Sequence, residues 1–269
     1  MIKTMQETIS SSTGRRSAIL QILKQNSNIS VIELSRKFGV SEVTIRKDLN
    51  LLKERNLLVR TRGGAILHET RKDDNDTSIR FKKLANFREK KAIGRAAANL
   101  IKEGDTIIID SGTTALQVAC NLHKFRNLTI ITNALNVAQE VLSYKRFNVI
   151  LLGGNIRNAS ESVVGALAES NLKMFYCDKL FLGVDSFSVE NGLSTPNVEE
   201  ANINQLMISR SKEVIAVFDS SKVNKRALAF IATIDKIDRI VTDDGMDKAT
   251  RSHLKAMDVD VITVKADPA

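Results

Sequence analysis

Five short polar segments carry the residue types that hold a small anion and its hydroxyl groups. The first is Asp110-Ser111-Gly112-Thr113-Thr114. Its small hydroxyl residues and glycine, placed at the start of a predicted helix, leave backbone N–H groups free for an oxyanion. It is not a Walker A loop, because the Gly-Lys-Ser/Thr ending is absent. The others are Thr132-Asn133, Gly153-Gly154 with Arg157 close behind, Gly183 with Asp185, and Asp219-Ser220-Ser221-Lys222. Singly, each is an ordinary turn. Together they supply hydrogen-bond donors, carboxylates, a guanidinium and an ammonium, which suits a small phosphorylated polyol.

A second set lies in the first third of the chain. Thr44, Arg46, Lys47 and Asn50 would share the outer side of one helix, where Arg and Lys can donate to guanine O6 and N7 and the Thr methyl can meet a thymine methyl. Ser41 before them, and Arg60, Arg62, Gly63 and Gly64 after them, suit contacts to phosphates, which position a protein on DNA without specifying sequence.

The elements that must position these residues are legible in the periodicity. Each of the five polar segments follows a short, β-branched, nearly continuous apolar run: TIIID, LTIIT, NVILL, KLFLGV and VIAVF, with DRIVT and VDVITV further on. Such runs fit strands buried on both faces, and helical patterns such as Val198–Ser211 and Met246–Met257 lie between several of them. The expectation is an α/β domain with an open, mostly parallel sheet, whose ligand groups sit at the carboxyl ends of the strands.

Upstream, Ile19, Ile22 and Leu23 mark one face of a first helix. Ser30 can cap a second helix that carries Leu34 and Phe38 inward and ends at Gly39. Ser41 can cap a third, on which Ile45, Leu49 and Leu52 repeat toward the core. The following LLVRTRGGAIL predicts two short strands around a Gly-Gly turn. This is a winged helix-turn-helix. The boundaries read as a disordered tail over 1–14, the DNA-binding domain over 15–70, a charged linker over 71–88, and a sensing domain over 89–269.

Charge agrees with that division. The net charge of +9 is confined to one end: residues 1–91 hold 20 Lys and Arg against 10 Asp and Glu, and residues 92–269 hold 20 against 21. A basic module ahead of a near-neutral one implies a polyanion for the first alone. Phe38, Phe81 and Phe87 are the only aromatics in residues 1–91, too few for stacking on single strands, so double-stranded DNA is the expected partner. Part of the basic excess falls in the linker cluster of Arg80, Lys82, Lys83, Arg88, Lys90 and Lys91, to which the sequence gives no role. Cys120 and Cys177 are isolated and match no zinc-site spacing, so no metal is expected. The start has no apolar signal region and the longest apolar run is Ala227–Ala232, which predicts a cytoplasmic protein that does not enter a membrane.

The stretch SEVTIRKDLNLLKERNLLVRTRGGA resembles the signature of the DeoR family of bacterial transcriptional regulators. The matching positions are Ser41, Thr44, Ile45, Arg46, Lys47, Asp48 and Leu49, then Arg60, Gly63 and Gly64. The resemblance continues through DSGTT, the Thr132–Ala138 segment, Gly153–Arg157, FLGVD and DSSK. A family segment Glu-Lys-x-x-Ile-Ala is met only at Glu89, Lys90 and Ile93, with Gly94 in place of Ala. It implies a sensor domain folded like ribose-5-phosphate isomerase and glucosamine-6-phosphate deaminase. It also implies that a phosphorylated sugar releases the repressor from its operator, without a cofactor. The segments FLGVDSFSVENGLST and NVEEANIN lean toward the amino-sugar branch, the N-acetylgalactosamine regulators.

Two other readings compete. One is a sugar-phosphate isomerase or deaminase carrying a DNA-binding arm, with Asp110, Asp185, Glu199 and Glu200 as bases and Lys222 polarising a carbonyl. It leaves the basic first third without a task. The other is an architectural DNA-binding protein, which leaves the five polar segments unexplained. A repressor that pairs as a homodimer or homotetramer on two half-sites accounts for both.

Overall fold

The computed structural model describes residues 12–26, 28–54, 57–61, 63–67, 79–83 and 85–266. They fall into two compact units. The first closes with a β-hairpin; the second holds Ile79–Lys82 and everything described from Asn86 onward.

In the first unit, helix α1 (Ser12–Asn26) and strand β1 (Asn28–Ser30) precede α2 (Val31–Phe38) and α3 (Glu42–Glu54). Strands β2 (Leu58–Thr61) and β3 (Gly64–Leu67) follow. Ile19, Leu23, Leu34, Ile45, Leu49 and Leu52 are all buried, as the periodicity predicts. Fully burying such side chains contributes roughly 1.5–3 kcal/mol each, and this core aligns the three helices. A capping box starts α2: the Ser30 hydroxyl accepts from the Glu33 N–H at 3.1 Å, and the Glu33 carboxylate accepts from the Ser30 N–H at 2.9 Å. The hairpin gains a third strand that the sequence does not announce, since β1 pairs with β3 and sets Ser30 opposite Gly64. A Cβ on Gly64 would lie 2.3 Å from the Ile29 carbonyl oxygen, and Gly63 sits at φ 92°, so the two glycines are needed for different reasons.

The second unit opens with a single helical turn, α4 (Ile79–Lys82), and α5 (Phe87–Ala98). There follow β4 (Thr106–Ile109), α6 (Thr113–Ala119), β5 (Thr129–Thr132), α7 (Leu135–Leu142) and β6 (Asn148–Leu151). A hairpin of β7 (Asn155–Arg157) and β8 (Ser162–Val164) leads to α8 (Ala166–Leu172) and β9 (Cys177–Gly183). Next come β10 (Ser186–Ser188), β11 (Gly192–Thr195), α9 (Val198–Ser209) and β12 (Ser211–Val217). The unit ends with β13 (Ala229–Ala232), β14 (Arg239–Asp243), α10 (Lys248–Ala256) and β15 (Asp260–Val264). Helical structure thus extends into stretches read from sequence as tail and linker.

Seven strands form one wholly parallel sheet in the order β15-β14-β12-β9-β4-β5-β6. All seven apolar runs become these strands. Their residues alternate between two cores: Ile108, Leu180, Leu182 and Ala216 face α8 and α9, while Ile107, Ile109, Phe181 and Val217 face α5, α6 and α7. The chain steps outward from β4 through β5 to β6, then returns to β9 and steps the other way. The order therefore reverses between β4 and β9, the place where open α/β sheets form a ligand crevice. Gly94 explains its own departure from the Glu-Lys-x-x-Ile-Ala pattern. A Cβ there would come within 2.4 Å of the Gln117 backbone, so α5 crosses α6 at a distance that glycine permits. Cys120 and Cys177 are free. No helix among the described residues is long and apolar enough to cross a membrane.

Candidate functional site

In the first unit, Ser41 and Thr44 begin α3 together: the Ser41 hydroxyl accepts from the Thr44 N–H at 3.2 Å, and the two hydroxyls lie 2.9 Å apart. Arg46 and Lys47 are exposed side by side with Asn50 exposed one turn on, and Arg46 meets Glu42 at 3.2 Å. Arg60 turns back onto this helix. Its Nη1 donates to Asn50 Oδ1 at 2.7 Å and to the Arg46 carbonyl at 3.4 Å, and its Nε donates to the Gly64 carbonyl at 3.3 Å. Arg62 lies outside the described residues. Beneath α3, Asp48 is buried against Arg15 at 2.6 Å. The apolar pattern gives no hint of this pair, because its partners are 33 residues apart.

In the second unit, four of the five polar segments reach the carboxyl edge of the sheet through one network. Asp110 lies at the reversal point, 3% exposed, its Oδ2 accepting from the Gly183 N–H of β9 at 3.1 Å. Asp185 follows β9 and meets Lys82 at 2.6 Å and Lys222 at 4.0 Å. Its other oxygen accepts from the Thr195 hydroxyl at 3.5 Å, and the same hydroxyl lies 3.1 Å from Glu200. Glu200 in turn pairs with Arg157 at 3.3 Å. On the other side, Lys90 donates to the Lys82 carbonyl at 2.7 Å and faces Asp219 at 4.0 Å, and Asn86 donates to Asp219 at 2.7 Å.

The remaining predicted residues have more local tasks. Thr132 is fully buried and accepts from the Ala134 N–H, and Asn133 donates to the Val163 carbonyl at 3.3 Å. Gly153 and Gly154 turn the chain from β6 into the β7–β8 hairpin. Ser111 and Gly112 lead into α6, whose first residues Thr113 and Thr114 are buried.

The electrostatics of this edge are strained. Burial pushes the Asp110 carboxyl up to about 7 with help from Glu200, against the Ser111 and Gly183 N–H groups and the Asn204 amide. Burial pulls Lys90 down to about 8, although Asp219 opposes it, and it pulls Lys222 down too. Asp185 goes the other way: burial would raise it, but the Lys82 and Lys222 ammoniums outweigh that and hold it below the ordinary carboxylate range. Three buried acceptors at this edge, Asp110 Oδ1, Asn133 Oδ1 and Asp219 Oδ2, have no hydrogen-bond partner.

The sequence does not single out Lys82, Asn86, Lys90 and Thr195 for this edge, and it offers Glu200 only as a candidate base. The lysines belong to the unassigned basic cluster, and the Glu89-Lys90 match to the family segment was the one available signal. By contrast, a cavity of about 460 Å³ at the amino edge of the sheet is lined by charges that largely neutralise one another, among them Lys179 with Asp105 and Arg239 with Glu213, each at 2.6 Å. Among the described residues no cluster of His, Cys, Asp and Glu could hold a metal ion.

Comparison with known proteins agrees with both units. Residues 15–71 match the DeoR-like helix-turn-helix domain, and residues 85–244 match the DeoR C terminal sensor domain. The chain is 35% identical over 259 residues to a protein of Escherichia coli O157:H7 named for transcriptional repression of the aga operon, covering 96% of each. It is 34% identical over 231 residues to the glycerol-3-phosphate regulon repressor of Escherichia coli K12, covering 86% of this chain and 90% of that one. Among solved structures, ribose 5-phosphate isomerase A of Methanocaldococcus jannaschii matches 53% of this chain and 56% of that one, with a TM-score of 0.40 and 17% identity, too remote to carry an argument. The chain belongs to the DeoR family of DNA-binding transcriptional regulators.

Proposed function

We propose that this regulator represses a carbohydrate-utilisation operon in the cytoplasm and is released from its operator by a phosphorylated sugar bound at the carboxyl edge of the parallel sheet. One observation carries the reading: four cations, Lys82, Lys90, Lys222 and Arg157, lie at the carboxyl edge of the sheet, where buried acceptors have no hydrogen-bond partner. Cations suit a phosphate, and Asp110 Oδ1 and Asn133 Oδ1 suit ligand hydroxyls, which donate. Asp110, Ser111, Gly112, Thr113, Thr114, Thr132, Asn133, Gly153, Gly154, Arg157, Asp185 and Lys222 are the proposed effector residues, with Lys82 and Lys90 added. The name of the aga-operon relative favours an amino-sugar phosphate.

At the other end, Thr44, Arg46 and Lys47 read base edges while Ser41 and the hairpin meet the phosphate backbone. The protein works as a homodimer or homotetramer, and the effector stabilises an arrangement that cannot seat two recognition helices on two half-sites. A thermal-shift panel of sugar phosphates tests this. One compound should raise the unfolding temperature and dissociate the DNA complex. Conversion of the best ligand to a product would instead favour a sugar-phosphate isomerase or deaminase.

A further inference from the structure

Helix α4 has four residues, too few to hold a helical shape unaided, and the sensor unit holds it at both ends. The Ile79 N–H donates to the Ala159 carbonyl at 2.7 Å, and the Ile79 side chain is 2% exposed. At the other end the Lys82 ammonium meets Asp185 at 2.6 Å, and the Lys82 carbonyl accepts from the Lys90 ammonium at 2.7 Å. Each of these anchors belongs to the carboxyl edge of the sheet. Ala159 lies in the β7–β8 turn between Arg157 and Ser160, whose side chains meet at 3.2 Å. Asp185 is shared with Lys222 at 4.0 Å, and Lys90 faces Asp219 at 4.0 Å. In the chain, α4 is also the first described element after the β2–β3 hairpin, so the covalent link from the winged helix enters the sensor unit there.

We propose that α4 is a clasp through which the effector site acts on the link between the units: an anion bound among Lys82, Lys90 and Lys222 fastens α4 to the carboxyl edge. The three ammoniums lie close enough to repel one another, and Lys222 faces the same Asp185 oxygen that Lys82 bonds. That repulsion works against the docked α4. A phosphate group offsets it, and the three donors of Lys82 are enough to keep Asp185 and take up a phosphate oxygen as well. An anion that binds better when α4 is docked must, by linkage, favour docking to the same degree. The chain that leads to the winged helix then starts from a point held by the effector. The inference rests on the effector occupying this edge.

Hydrogen exchange of the full chain tests this, with inorganic phosphate added against chloride at matched ionic strength. Amides of residues 219–222 report occupancy of the site, the Ile79 amide reports the clasp, and residues 250–254 of α10 report opening of the whole unit. Phosphate should slow exchange at 219–222, and at Ile79 by on the order of 5- to 150-fold, the usual strength of coupling between linked sites, with a smaller effect at 250–254. Ile79→Ala truncates the buried anchor and touches none of the lysines. By reciprocity, the phosphate concentration that half-protects 219–222 should rise in this variant, by up to the same factor. Protection at 219–222 with none at Ile79 overturns the clasp and leaves the effector site standing. Protection at neither overturns both. Equal slowing at 250–254 would mean that α4 opens only with the whole unit, and an unaltered phosphate midpoint in Ile79→Ala would mean that docking and binding are unlinked; each overturns the proposal. Should Ile79→Ala not fold, Ile79→Val should move the midpoint the same way by a smaller factor.

Discussion

In the winged helix, Asp48 is buried with the Arg15 guanidinium 2.6 Å away and Arg16 at 3.9 Å. In the sensor domain, Asp110 is equally buried, yet one of its oxygens has no partner and the charged group that acts on it is another carboxylate, Glu200. The first arrangement is closed. The second is open, and it sits where the strand order reverses, on the edge that also carries Lys82, Lys90 and Lys222. A buried charge with its complement supplied by the chain serves the fold. Buried polar groups left short of partners at this edge fit the effector site we propose.

The sharpest way to break this comparison is to open the closed pair. Asp48→Ala leaves the Arg15 charge buried and alone, which should cost ~3–5 kcal/mol of the stability of the winged helix and abolish DNA binding. Urea unfolding followed by circular dichroism measures it. Replacing both partners, Arg15→Met with Asp48→Leu, should recover most of the loss, because the pair fills space as much as it attracts. If the single change is neutral, the pair is not structural and the contrast with Asp110 collapses.

The open site should respond in the opposite sense. The Asp110 carboxyl is raised to about 7, so between the ordinary Asp range and neutrality the folded domain holds a proton that the unfolded chain has released. Stability then falls as pH rises through that window and levels off above about 7. Asp110→Asn removes the titration. The variant should be more stable than wild type at pH 8, by on the order of a few kcal/mol, with the difference shrinking toward pH 4. It should also lose its response to the effector. Thermal unfolding across that pH range checks the first statement, and the sugar-phosphate panel checks the second.

These two carboxylates also mark how far the sequence could be read. Strands such as Thr106–Ile109 and Cys177–Gly183 announce themselves, because β-branched runs buried on both faces leave no other solution, and the polar residue after each run then falls at the carboxyl edge. Pairing between distant segments has no such local mark. Lys82 and Asp185 are 103 residues apart, and Arg15 and Asp48 are 33 apart. A charge run in sequence therefore reads as solvated surface even when two of its lysines, Lys82 and Lys90, face Asp185 and Asp219 far along the chain.

A smaller effect separates reading from holding on the DNA side. Lys47→Ala removes an exposed cation of α3 whose loss leaves no buried group unsatisfied. It should weaken binding to the selected duplex by ~1–3 kcal/mol while leaving the unfolding transition in place. Titration by fluorescence anisotropy, beside a melting curve, distinguishes this from Asp48→Ala, where both readouts fall together.

The smallest expected effect tests whether closure in the winged helix extends to its exposed surface. The Ser30 N–H and hydroxyl hold the Glu33 carboxyl below its ordinary range, the opposite direction from Asp110. An acid lowered on folding contributes stability that is present above its unfolded pKa and is lost as pH falls through the folded value. Ser30→Ala removes the side-chain half of the capping box and should cost about 1 kcal/mol at neutral pH. Part of that cost should disappear in acid, where Glu33 is protonated and the box is broken in wild type as well. The difference in melting temperature between wild type and Ser30→Ala should thus shrink below about pH 4, near the reference range of a glutamate. The gap between wild type and Asp110→Asn narrows over the same descent for the opposite reason, since there it is the wild type that gains stability. A gap for Ser30→Ala that instead stays constant into acid would mean that the hydroxyl caps α2 without its carboxylate partner.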